Sequence, residues 1–129
     1  MSSTEGTRIP REEYEAQVVA TRFPPGTRRA DLAGFRGWNF PVICRLGSRY
    51  VMRIIWDHTV KQYRVALIEP AAEKDPVSAH DNHVFKDGYL CLGTRYAHSF
   101  EYVYSQAIMW ATGYSIMKAT GKFPFNFNQ

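Results

Sequence analysis

The sequence predicts an α+β domain, an antiparallel β-meander of three to four strands backed by an N-terminal helix and a long C-terminal helix. Three observations predict it. Apolar residues recur at helical spacing near both ends of the chain and alternate with a period of two in the middle. Turn residues punctuate the middle at hairpin intervals. The 129 residues are 45% hydrophobic and 22% charged, enough to bury one core and too apolar for a disordered chain.

The elements follow in order. Residues 1 to 10 read as a flexible lead-in, and Pro10 with Arg11, Glu12 and Glu13 reads as a helix start, proline in the first turn and acids on the positive end of the dipole. Tyr14, Val18 and Val19 are expected on one face, and Pro24, Pro25 and Gly26 stop the helix by Phe23. Residues 24 to 37 are expected to form a connection holding an edge strand. Phe40, Val42, Cys44 and Leu46 then alternate in one strand, and Tyr50, Met52, Ile54 and Trp56 in the next, with Gly47 and Ser48 as a two-residue turn. A third run, Tyr63 to Glu69, ends at Pro70. His58 reads as a turn residue. Periodicity disappears from Ala71 to Tyr96, and long irregular segments of this kind are usually functional.

The last helix is expected to start at Ser99 as cap and to close at Gly121. Its stripe is Phe100, Val103, Tyr104, Ala107, Ile108, Ala111, Tyr114 and Met117. Residues 122 to 129 form a tail in which Phe123, Phe125 and Phe127 alternate. Trp38, Trp56 and Trp110 are expected in the core, their indole N–H groups needing partners. The whole chain, 1 to 129, reads as a single domain.

Composition excludes several classes of function. No apolar run approaches the ~18 to 20 residues that cross a bilayer, so no membrane partner is expected. Met1 to Arg11 has no hydrophobic stretch behind its charges, so the expectation is a chain without a secretory signal and, by elimination, a cytoplasmic one. The net charge of +4 comes from 16 basic and 12 acidic residues, no basic cluster exceeds the pair Arg28 and Arg29, and no aromatic interleaving accompanies it. Nucleic acid is therefore not an expected partner. Two cysteines, Cys44 and Cys91, do not make a disulfide framework. Cys44 alternates with core residues, whereas Cys91 lies in the aperiodic segment two residues after Tyr89.

The stretch from His83 to Gly93, with Gly88, Leu90, Cys91 and Leu92 in register, resembles the active-site segment of ubiquitin-conjugating enzymes. In that family a His-Pro-Asn motif leads through a glycine to a catalytic cysteine followed by leucine. Asp81, Asn82 and His83 stand where the family has His, Pro and Asn. The substitution of His83 for the asparagine, with Asn82 beside it, is similar to the prokaryotic ubiquitin-conjugating-like proteins of bacterial conjugation operons, some of them antiviral. The resemblance covers roughly residues 36 to 120, without the family's Tyr-Pro and Pro-Pro signatures between strands.

The resemblance implies a ubiquitin-conjugating-like fold and a conjugating enzyme that accepts a ubiquitin-like protein from an activating enzyme as a thioester on Cys91 and passes it to an amine of a target protein. It implies no cofactor. Such chemistry needs a thiolate and little activated water near it, so that the acyl group waits for an amine. His83 or Asn82 would donate to the oxyanion of the transfer step, a contact worth about 3 kcal/mol. His83 would also be suited to take the amine's proton.

Three alternatives stand beside this. Cys91 with His83 or His98 as base, oriented by Asp81 or Glu101, would make a cysteine hydrolase. His80, His83, Cys91 and His98 have a spacing that would suit zinc, although no Cys-x2-Cys knuckle supports it. A catalytically inactive binding module of the same fold would need no cysteine at position 91.

Overall fold

The computed structural model describes residues 10–31, 34–44, 47–69 and 88–124. Helix α1 is Arg11–Arg22, with Pro10 at its N-cap, Glu12 and Glu13 in the first turn and Arg22 in the last. It stops at Phe23, whose N–H donates to the Val19 carbonyl and whose extended backbone leads into Pro24. Val18 is buried as expected, but Tyr14 is 39% exposed, and the residue that α1 buries beside Val18 is Glu15.

Four strands follow in one antiparallel sheet of order β1-β2-β3-β4: β1 Arg28–Arg29, β2 Gly37–Ile43, β3 Arg49–Asp57 and β4 Gln62–Glu69. The expected edge strand is the two-residue β1. It pairs Arg28 with Asn39 and Arg29 with Trp38, leaving the rest of the β2 edge to Pro41, a residue tolerated there because it has no N–H to offer. At Gly37 the chain passes so close to β3 that a Cβ would lie 2.3 Å from the Ile54 carbonyl oxygen.

The β2–β3 hairpin corrects one expectation. β2 ends at Ile43, paired with Arg49, and the connection runs from Cys44 to Ser48. The Cys44 N–H donates to Ser48 O at 2.9 Å and the Gly47 N–H to Cys44 O at 2.8 Å. The reason is register. A two-residue Gly-Ser turn would pair Leu46 with Arg49, an odd shift from the observed register, and would turn Tyr50, Met52 and Ile54 to the face opposite Phe40 and Val42. In the observed register Phe40 stands opposite Met52 and Val42 opposite Tyr50, and all four are buried together. Between β3 and β4 the pairing slips at Val51/Met52, a bulge that leaves Ile68 unpaired. His58 is in the turn that joins them, as expected, with its ring 5.1 Å from Phe35.

Helix α2, Phe100–Thr120, lies across the sheet face formed by Phe40, Tyr50, Met52, Ile54, Val65 and Leu67. Ser99 caps it by accepting from the Tyr102 N–H, and Gly121 closes it. The expected stripe is buried at Phe100, Val103, Ala107, Ala111, Tyr114 and Met117, while Tyr104 and Ile108 are half-buried. Trp110, fully buried, is the stripe's centre. Ser115 is buried too: its hydroxyl donates to Ala111 O and therefore accepts from Tyr50 Oη at 2.8 Å. Phe23 stacks on Tyr104 at 3.9 Å between ring centroids and joins α1 to this core. Among the described residues, no helix is long and apolar enough to cross a membrane.

Candidate functional site

β4 is a terminal strand, and its free edge is covered by the segment that carries Cys91. The Leu67 N–H donates to Gly88 O at 2.9 Å, Tyr89 bridges Ala66, and the Leu90 N–H donates to Val65 O at 2.7 Å. Continued in step, this ladder would set residue 92 opposite Tyr63. Instead the Tyr63 N–H donates to Ala97 O at 2.7 Å. Residues 91 to 96 are thus a loop that leaves and rejoins β4 at positions two residues apart, about 7 Å along the strand. Cys91 is its first residue.

Local sequence explains the placement. Gly88 has φ 89°, the left-handed conformation that glycine accepts without strain, at the entry to the edge pairing. Leu90 is buried in the core and Leu92 packs against it, so Cys91 is held half-buried between two anchors. That burial pushes the Cys91 thiol above its ordinary pKa. The loop then turns back, with the Ala97 N–H on Thr94 O and the Ser99 N–H on Tyr96 O, and runs into α2.

On the outer face of the sheet, Asp57 accepts from the Thr59 N–H at 3.0 Å and Thr59 Oγ1 at 2.5 Å, and lies 3.6 Å from Arg64. The Thr59 hydroxyl above all holds the Asp57 carboxyl below the usual carboxylate pKa. Arg64 in turn sits 4.0 Å over the Tyr89 ring, two residues before Cys91.

On the inner face Glu15, 3% exposed, accepts from Trp38 Nε1 at 3.0 Å and from Tyr63 Oη at 2.6 Å. Burial and that carboxylate push the Tyr63 hydroxyl well above its usual pKa. Arg11 lies over Trp56 at 3.7 Å. Glu15, Asp57, Arg64 and Tyr63 did not stand out in the sequence. The available signal was helical spacing, which puts Arg11, Glu15 and Val18 on one stripe of α1.

Of the sequence-predicted site residues, Cys91 is placed as described, and His83 and Asn82, with His80 and Asp81, lie outside the described residues. His98 is exposed at the start of α2, in a cleft of about 540 Å³ lined by Arg11, Tyr14, Tyr63 and Glu101. Glu101 accepts a hydrogen bond from Tyr14, and among the described residues no hydrogen bond or ion pair joins it to His98. No group of three or more His, Cys, Asp or Glu is placed to hold a metal ion among the described residues. Cys44 packs against the core at the hairpin end of the sheet, seven residues, or about 23 Å, along the strands from the Cys91 row, too far for a disulfide. No family model, no curated protein and no solved structure matches the chain.

Proposed function

We propose that this chain is a ubiquitin-conjugating-like transferase, which carries a ubiquitin-like protein as a thioester on Cys91 and delivers it to an amine of a target protein. One observation carries the reading: helix, four-stranded meander, edge-docked cysteine segment and long helix follow in the family's order, and Cys91 opens the loop between sheet and α2. An activating enzyme would spend ATP to charge the ubiquitin-like C-terminus. The Cys91 sulfur attacks that thioester carbonyl and the activating enzyme's thiol leaves. A target amine then attacks the Cys91 thioester, an amide forms, and the Cys91 thiol leaves with a proton.

The half-covered position of the Cys91 thiol limits access of water to the sulfur, which supports a carrier over a hydrolase. The Glu101 of a His98 pair is engaged by Tyr14 instead. His83, with Asn82 beside it, is assigned the oxyanion contact on the resemblance alone. A cytoplasmic setting, in a bacterial conjugation operon of the antiviral kind, belongs to the same proposal.

Cys91→Ser tests the acceptor atom. Incubated with activating enzyme, ATP and ubiquitin-like protein, it is expected to form an adduct that survives thiol reductant and is cleaved by mild base, as an oxyester is. A reductant-labile adduct on this variant would place the thioester elsewhere.

A further inference from the structure

The geometry points to Arg64 as the positioning residue for Cys91, acting through the Tyr89 ring. Two paired residues at a sheet edge have little stability of their own, so the segment before Cys91 depends on its side chains. Leu90 fixes it from the inner face, in the core. On the outer face Tyr89 is half-buried beneath the Arg64 guanidinium, 4.0 Å from the ring centroid. Arg64 is itself aimed: Asp57 lies 3.6 Å from it, and Thr59 fixes the Asp57 carboxylate through two hydrogen bonds. The β3–β4 turn is thereby coupled to the cysteine loop. Held from both faces, the chain reaches Cys91 in one conformation, with the thiol half covered.

The inference rests on the transferase reading only for its consequence, that a covered thiol is spared stray chemistry until the acyl donor arrives. Its structural content is testable with this chain alone. In a Cys44→Ala background, the rate of Cys91 alkylation by iodoacetamide is followed across pH. Among the described residues, the charged and titratable groups on the elements around the loop include Asp57 and Arg64 on the sheet, Arg95 in the loop, His98 directly after it and Glu101 on α2. Arg64→Ala is expected to be alkylated about three- to tenfold faster at neutral pH, with the midpoint of the profile moved down toward an ordinary thiol, because the cover is loosened.

Tyr89→Leu, which removes the ring from beneath the guanidinium, is expected to follow Arg64→Ala. Val42→Ala, a core truncation at the hairpin end of the sheet, controls for general loss of stability and is expected to leave the rate unchanged. An unchanged rate in Arg64→Ala, or an equal rise in Val42→Ala, would overturn the assignment. Neither result depends on whether a thioester forms.

Discussion

Glu15 joins three parts of the molecule through two oxygen atoms: α1 carries it, Trp38 of β2 donates to one oxygen and Tyr63 of β4 to the other. Glu15→Gln retains one acceptor and sets an amide N–H₂ against a donor, and is expected to destabilise by about 1–3 kcal/mol in chemical denaturation. Asp57 gives a second residue-scale prediction. Its carboxyl has a lower pKa folded than unfolded, so its contribution is present above the unfolded value and is lost as pH falls through the folded one. Asp57→Asn is expected to lower the melting temperature at neutral pH, and the gap to wild type is expected to close below about pH 4. Neither acid was legible in the sequence: the donors to Glu15 lie 23 and 48 residues further along the chain, and Asp57, whose donor Thr59 is two residues on, reads as an ordinary solvated turn acid until Arg64 of β4 is seen beside it. The loop position of Cys91 was legible, since the segment around it lacks any period. For His83, discharge of a loaded enzyme to free lysine separates roles: His83→Ala is expected to load and then discharge on the order of 10 to 1000-fold more slowly, with His83→Asn recovering part of the rate.

The elements were legible wherever burial is one-sided. A two-residue period survives in β2, β3 and β4 because one face of the sheet meets α2 and the other does not, and the stripe of α2 is the complement of that face. The hairpin was misread because Gly-Ser is a strong local turn signal, while the connection is set by the non-local demand that Phe40, Val42, Tyr50 and Met52 share a face. Trp110, expected in the core although left out of the stripe read from spacing, is fully buried because it continues the three- and four-residue steps that run through Val103, Ala107, Tyr114 and Met117. Gly37 tests the packing of the two central strands. Gly37→Ala would set a methyl 2.3 Å from a backbone oxygen that cannot rotate away, and is expected to cost more than about 2 kcal/mol. A milder loss would mean that the strands part there with ease.

For the whole molecule, the basic N-terminal third suggested steering of an acidic partner, through Arg8, Arg11, Arg22, Arg28 and Arg29. The fold changes which of these are available. Arg29 lies over Trp38 and 3.4 Å from Asp31, and Arg11 lies over Trp56, so both are part of the packing. Arg22 and Arg28 make no ion pair with a described acid. Reversal of Arg22 and Arg28 to glutamate is therefore the cleaner test. It is expected to slow loading by the activating enzyme at low salt and to lose its effect as salt screens the encounter.

The transferase reading itself meets its most direct test in the intact mass of this chain after incubation with ATP, its activating enzyme and ubiquitin-like protein. The expected result is one added ubiquitin-like protein less one water, removed by reductant, retained in Cys44→Ala and missing from Cys91→Ala. The same adduct on Cys91→Ala, or an uncharged chain beside a charged activating enzyme, would contradict it.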